Sequence, residues 1–304
     1  MLLRTKTQAK GEQMNLILEK YKEYLINKKY SENSIHSYCE ELERYFQWVN
    51  LYTPSIDSKV LEEVRWEDIE DGYLPCGNIS NATYNKRHST LKVFYDYLIK
   101  REMCSINPMN KINKLKIQKK EPIFLTKEEV DEILFQARNF QGENSKRNNC
   151  ILLVFLESGI RLSELTELKK TDFTKNRIHV EHGKGDKERF TFISNTTLIF
   201  LKAYWDNRKD SSPYAFVTGR GEPKKITEDN IRKIVINYTK MASINKNITP
   251  HKLRHTFATH YYEKTKDLRR LQMILGHASS NTTDIYAHVV NNAEEENIQN
   301  GLYN

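Results

Sequence analysis

With 304 residues and 36.0 kDa, the chain is long enough for about two domains, and its 11 glycines and 7 prolines are too few for a collagen-like or turn-dense all-β protein. Lys and Arg (48) outnumber Asp and Glu (40), so a net charge of +8 and a pI near 9.0 make nucleic acid the first partner to consider. The longest apolar run, Cys150 to Leu156, is far below the ~20 residues of a membrane span, and the opening Met1-Leu2-Leu3-Arg4 lacks the apolar core of a secretory signal.

Cys39, Cys76, Cys104 and Cys150 are scattered without a Cys-x-x-Cys pair, which suits neither a zinc ribbon nor a disulfide scaffold. They read as buried free thiols of a cytoplasmic protein. Residues 1–13 are polar and read as a flexible N-terminus, and a helical domain is expected over 14–107. Leu18, Tyr21 and Leu25 recur at helical spacing between Met14 and Asn27. Ser31 is a good N-cap for a second helix with the apolar face Ile35, Tyr38, Leu42, Tyr45, Phe46 and Val49. Residues 51–80 are less regular. A strong helix then runs from Ala82 to Arg101, with Tyr84, Leu91, Phe94, Tyr95 and Leu98 inward and Lys86, Arg87, His88 and Lys92 on the other face. Asn107-Pro108 ends the helical pattern, and the Lys-rich, aperiodic 108–122 reads as a linker.

The second domain is expected over 123–290. Thr126 and Glu129 have capping-box spacing ahead of Val130, Ile133 and Leu134. A buried helix from Asn149 to Glu157 ends at Ser158-Gly159, and Ser163 is expected to cap the next. Arg177–Glu181 and Arg189–Ile193 alternate as paired strands around a tight turn at Gly183–Asp186. Helices are predicted over Asn195–Asn207, Glu228–Met241, His251–Lys264, Leu268–Leu275 and Thr282–Val290, leaving 291–304 as a tail. The fold class is mostly α with a small antiparallel β-sheet (α+β).

Several familiar sites are excluded. Gly183-Lys184-Gly185 lacks the earlier glycine and the Ser or Thr of a Walker A loop. His251 and His255 stand four apart as in a zinc protease, but Lys252 occupies the place of the general-base Glu. What remains is a set of basic residues at turns and helix starts: Arg161, Lys184, His251, Arg254 and His277, with Tyr286 nine residues beyond His277. Such a set suits a phosphodiester. Arginine forks hold non-bridging oxygens, a lysine can protonate a leaving alkoxide, and a tyrosine can be a covalent nucleophile. Taken singly, each has an ordinary structural reading: Arg161 can pair with Glu164, Lys184 can sit in a solvated turn, and His277 can end a helix.

A pattern links them. Ser158-Gly-Ile-Arg161-Leu-Ser-Glu164-Leu, Gly183-Lys184-Gly-Asp-Lys-Glu-Arg189, His251-Lys-Leu-Arg254-His-Thr-Phe-Ala-Thr259, Leu275-Gly-His277 and Thr283-Asp-Ile-Tyr286-Ala-His288 resemble, in this order, the boxes of the tyrosine recombinase (phage integrase) family. The resemblance covers 14–108 as that family's helical, SAM-like core-binding domain and 123–290 as its catalytic domain. It implies a site-specific recombinase that cleaves and rejoins DNA through a 3′-phosphotyrosyl intermediate, in integration, excision or resolution of DNA elements. It assigns Tyr286 as nucleophile, Arg161 and Arg254 as the phosphate clamp and Lys184 as general acid. His251 would help deprotonate the tyrosine, His277 would hydrogen-bond the phosphate, and Glu164 would support the site. It also implies duplex contacts from Lys86, Arg87, His88 and Lys92, beside which a solvated basic helix face is the plain alternative.

The partners implied are a double-stranded recombination site, three further copies of the chain in a cyclic tetramer joined by the tail, and accessory DNA-bending proteins. No membrane, metal, ATP or other cofactor is expected. Thr265 or Lys266 stands where the family often has glycine. The short lead before residue 14 and the short 184–251 interval favour a compact, simple-site member, of the kind that includes Xer recombinases, transposon resolvases and small-element integrases. A type IB topoisomerase is the nearest enzymatic rival and a silent DNA-binding regulator the non-enzymatic one.

Overall fold

The computed structural model describes the backbone at residues 2–52, 61, 63–117, 122–181, 188–219 and 221–276, and the side chains of these except 2–14 and 51–52. The chain divides into two compact units, Met1–Lys119 and Lys120–Asn304. Among the described residues, no helix is long and apolar enough to cross a membrane.

The first unit contains α1 (Leu2–Asn27), α2 (Glu32–Tyr52), α3 (Trp66–Asp68), which runs into a π-helical turn at Ile69–Tyr73, and α4 (Asn81–Lys100). Helix α1 begins at Leu2, twelve residues ahead of the expected start, because the leading stretch is rich in Leu, Arg, Lys, Gln and Ala, all good helix formers. Ser31 and Ser80 accept from the N–H groups of Ser34 and Thr83 at 3.3 and 3.2 Å, which starts α2 and α4. Tyr21, Leu25, Leu42, Tyr45, Leu91, Phe94, Tyr95 and Leu98 are fully enclosed in one core, and Tyr38 packs at its edge. Tyr45 and Tyr95 satisfy each other's hydroxyl at 2.6 Å.

The stretch expected to be a linker is docked on this unit as far as Lys116. Met109 and Ile112 join the core. Asn85 of α4 brackets Leu115, accepting from its N–H and donating to its carbonyl, both at 2.8 Å, and Asn81 donates to the Lys116 carbonyl at 3.0 Å. An extended strap held by side-chain amides needs no apolar period, so its sequence looks like a linker. All four cysteines are free; Cys104 and Cys150 are buried and Cys39 half-buried. Cys76 corrects the expectation: it is exposed, in the polar turn between the π-helical turn and α4.

The second unit contains α5 (Lys127–Asn139), α6 (Ser145–Ser158), α7 (Leu162–Glu167), β1 (Phe173–Thr174), β2 (Arg177–Val180), β3 (Arg189–Phe192), α8 (Asn195–Asp206), α9 (Glu228–Met241), α10 (Pro250–Thr265) and α11 (Leu268–Leu275). Thr126 and Glu129 form the expected capping box of α5. The apolar run Cys150–Phe155 becomes the middle of α6, buried on every side by α5, α8 and α10. The sheet is antiparallel in the order β1-β2-β3, with Arg177 opposite Phe192 and Val180 opposite Arg189. Thr191 donates to the Ser158 carbonyl at 2.6 Å and ties β3 to the end of α6.

Candidate active site

The site is organised by the way α6 ends. Gly159 closes that helix with φ near +60°, a left-handed conformation that favours glycine. A Cβ there would meet Phe257 Cδ1 at 2.3 Å and Leu275 Cδ2 at 2.9 Å, so only glycine lets α6 end against α10 and α11. The chain turns at once into α7, whose N-cap is Arg161 and not the expected Ser163. The Arg161 N–H donates to Glu164 Oε2 at 2.8 Å, so the carboxylate at the third helical position fixes the helix start.

Three arginines then converge on the C-terminus of α11. Arg189 Nε donates to the Ile274 carbonyl at 2.8 Å, Arg254 Nη2 to the Leu275 carbonyl at 2.6 Å, and Arg161 Nη2 to the Gly276 carbonyl at 2.9 Å. Carbonyls at a helix end have no intrahelical partner and carry the negative end of the helix dipole, which explains why cations gather there. Arg254, 2% exposed, also donates to the Gly159 carbonyl at 2.6 Å. Glu164, 6% exposed, completes the group. It takes both Nη atoms of Arg189, at 2.8 and 2.6 Å, and Nη1 of Arg161 at 2.8 Å. Burial by itself would raise this carboxyl, but the fork of Arg189 and then Arg161 outweigh it and hold it down at about 2. Among the described residues, the contacts of the cluster gather three guanidinium groups around one carboxylate.

His251 and His255, one turn apart on α10, lie edge to face with ring centres 4.4 Å apart. His251 is exposed at the rim. Partial desolvation, then Arg254 and Arg161, depress its pKa below the usual histidine range. His255 is pushed down to about 4 by burial and then by His251, Arg254 and Lys252. Both imidazoles are thus neutral near pH 7.

The structure brings Arg161, Glu164, His251 and Arg254 into one region of the second unit. Lys184, in the sequence between β2 and β3, lies outside the described residues, as do His277, Tyr286 and the tail 291–304. On the first unit, Lys86 and Lys92 are exposed on α4, as a basic contact face requires. His88 is a correction: it is buried, with Nε2 2.8 Å from the Ile112 carbonyl, because the strap 108–116 covers it. Arg87 is another. It donates to the carbonyls of Tyr73, Leu74 and Cys76 at 3.0, 3.1 and 2.8 Å and faces buried Glu41 at 3.3 Å, so it holds a turn.

Arg189 ends the second motif box, and the sequence alone assigns it no role. It stands two positions before buried Thr191 on the same strand, and that parity places it on the inward face.

Residues 123–293 match the model of the phage integrase family, and residues 18–102 that of the phage integrase N-terminal SAM-like domain. The chain is 34% identical over 285 residues to tyrosine recombinase XerC of Bacillus pumilus (strain SAFR-032), covering 88% of this chain and 90% of that protein. It is 35% identical over 288 residues to tyrosine recombinase XerA of Pyrococcus horikoshii, covering 93% and 92%. A solved XerH site-specific recombinase, bound to palindromic difH substrate in a post-cleavage complex, superposes with a TM-score of 0.70 at 25% identity, over 92% of this chain and 83% of that one.

Proposed function

The chain belongs to the phage integrase family and is a tyrosine recombinase, an enzyme of site-specific DNA recombination, and we propose that Tyr286 is its nucleophile. Its hydroxyl oxygen attacks the scissile phosphorus, the bond from phosphorus to the 5′-oxygen breaks, and a 3′-phosphotyrosyl link forms. His251 takes the phenolic proton, a role consistent with its lowered pKa. Lys184 supplies a proton to the departing 5′-oxygen. Arg161 and Arg254 clamp the non-bridging oxygens, where negative charge grows in the transition state, and His277 adds a hydrogen bond. Glu164 orients Arg161. Rejoining is the reverse attack by a 5′-hydroxyl, so the energy of the broken bond is retained in the phosphotyrosine.

The observation that carries this reading is the convergence of Arg161, Arg189 and Arg254 on residues 274–276, directly ahead of the segment that holds His277 and Tyr286. Excess positive charge at that point suits a phosphate and has little use in a binding-only protein. A recombination site in duplex DNA is the substrate, and the solved XerH complex is with such a DNA. Synapsis of two sites by four copies, joined through the tail 291–304 and helped by DNA-bending proteins, belongs to the same reading, as does action in the cytoplasm. The test is incubation with a nicked duplex carrying the site. Wild type should form a covalent protein–DNA adduct, with or without a strong chelator, since the arginines supply the charge a metal would otherwise provide. Tyr286→Phe should bind equally and form none; an adduct in that variant would sink the assignment.

A further inference from the structure

Arg147, on the first turn of α6, is a buried cation with no carboxylate partner among the described residues. It is 9% exposed, and its described bonds go to neutral acceptors: Nη1 to the Val217 carbonyl at 2.9 Å, and Nε and Nη2 to Asn148 Oδ1 at 3.1 and 2.9 Å. Burial pulls it below the ordinary guanidinium range. A buried charge with only neutral partners carries a large desolvation cost that a bound counter-ion would offset.

Beside it is a cavity of about 370 Å³, whose lining includes Arg147, Asn144, Thr218, Asn230 and Lys233, with Gly219 and the apolar Ile234. Among the described residues, no acidic side chain lines it. The acidic side chains of the first turn of α9, Glu228 and Asp229, are taken by Arg232 at 2.6 and 2.9 Å. The wall depends on a close approach: a Cβ on Gly219 would fall 1.9 Å from Asn144 Oδ1. Asn144 is the N-cap of α6 but makes no side-chain cap bond, so the positive end of a 14-residue helix also opens here.

We infer that this cavity is a second anion site, built for a phosphate group held by Arg147 and Lys233 and separate from the arginine cluster on α11. Two cations, a hydroxyl and two carboxamides lining one space match a tetrahedral oxyanion with several acceptors. The phosphate can come from the DNA backbone, which rests on the recombinase reading, or from free phosphate. Held on DNA, it would fix the register of the second unit on the duplex without reading bases.

Two measurements on the full chain separate these sources. In the first, binding to a mixed-sequence duplex is titrated against salt for wild type, Lys233→Gln, Lys233→Arg and Lys240→Gln. Lys240 is exposed on the same helix and does not line the cavity. If the phosphate is DNA's, Lys233→Gln lowers affinity ~3–10-fold and reduces the slope of log K against log salt by about 1; Lys233→Arg restores both, and Lys240→Gln changes neither.

In the second, the melting temperature is followed in sodium phosphate against chloride at equal ionic strength. A phosphate-specific rise that Lys233→Gln abolishes, with unchanged DNA slopes, establishes the free-anion form of the site. Equal slopes and equal melting shifts in wild type and Lys233→Gln overturn the proposal. So does a matching DNA effect in Lys240→Gln, which would mean bulk charge alone. Failure of the recombinase reading shows separately, as absence of a covalent adduct in wild type.

Discussion

Glu41 in the first unit and Glu164 in the second are both buried carboxylates held by arginine, yet their settings differ. Glu41 accepts from the Tyr73 hydroxyl and faces Arg87, whose guanidinium lies 5.3 Å over the Tyr73 ring and donates to three carbonyls of one turn. Its other partner, Arg44, is 56% exposed and shares the ion pair with water. That cluster is closed: each group fixes another, and a helix-to-helix connection is the result. Around Glu164, Arg161 and Arg189 are joined by Arg254, and the acceptors are the ends of a helix that leads into the stretch bearing His277 and Tyr286. Arg161 stays 23% exposed. A glutamate–arginine contact alone does not tell structure from chemistry. What separates these two, among the described residues, is three guanidinium groups gathered around one carboxylate and a rim at Arg161 that stays exposed.

The largest expected effect breaks the two clusters in opposite ways. Arg161→Ala should keep the protein folded and reduce the rate of covalent cleavage about a thousandfold, the scale for losing a preorganised donor to a transition-state oxyanion. Arg87→Ala should leave Glu41 buried beside an empty space and cost about 3 kcal/mol of stability. Its cleavage rate per folded molecule should match wild type. Denaturant titration paired with single-turnover cleavage checks both, and a cleavage defect in a well-folded Arg87→Ala protein would erase the distinction.

The second effect is acid sensitivity. Glu164 is held at about 2 in the folded protein, against a carboxyl of ~4.3 in an unfolded chain. A depressed carboxyl stabilises the fold fully above the unfolded value and loses that contribution as pH falls toward the folded one. The loss, about 3 kcal/mol, should therefore appear between roughly pH 4.3 and pH 2. Unfolding midpoints followed from pH 5 down to pH 2.5 should show it in wild type. Glu164→Gln should be less stable already at pH 7 and should lack this part of the acid slope. An unchanged slope would place the acid-sensitive group elsewhere.

Much of this was readable in the residues. The bounds of α9 and α11 coincide with the expected Glu228–Met241 and Leu268–Leu275, since each has strong periodicity and a good cap, Thr227 and Asp267. The five motif boxes pointed to Arg161, Glu164, His251 and Arg254, which the fold does gather. What could not be read depends on partners far away in sequence. His88 lies on a face that the helical pattern leaves polar, and only the strap 24 residues later buries it. Arg189 meets a carboxylate 25 residues before it and a carbonyl 85 residues after it. Ser163 has the right chemistry for a cap, but Glu164, anchored by Arg189, sets the helix start two residues earlier.

Arg189 offers a finer test of the open cluster. Arg189→Lys keeps the charge but cannot hold both oxygens of Glu164 and the Ile274 carbonyl together, because an ammonium lacks the planar fork. Cleavage should slow about tenfold, an order-of-magnitude cost for losing one bidentate, charge-assisted contact behind the clamp. Affinity for duplex DNA should stay unchanged, since Arg189 is 8% exposed and points inward. Equal losses in binding and cleavage would make it a direct DNA contact.

The smallest effect concerns α4 in the first unit, where exposure decides between neighbours in sequence. Lys86 and Lys92 present ammonium groups to solvent, whereas His88, between them, is enclosed by the strap and hydrogen-bonded to Ile112. A contact to a DNA phosphate requires a charge that can reach it; a buried imidazole, pushed below its ordinary pKa by burial, has neither reach nor charge at neutral pH. Lys86→Gln and Lys92→Gln should each weaken duplex binding ~2–5-fold and each lower the salt slope by about 1. His88→Gln should leave affinity and slope alone and lower the melting temperature by a few degrees, because its carboxamide reaches the Ile112 carbonyl less well; at about 1 kcal/mol for one such bond the shift is ~2–8 °C. A changed salt slope in His88→Gln, with both lysine variants behaving as wild type, would mean that the strap lifts from α4 when DNA binds.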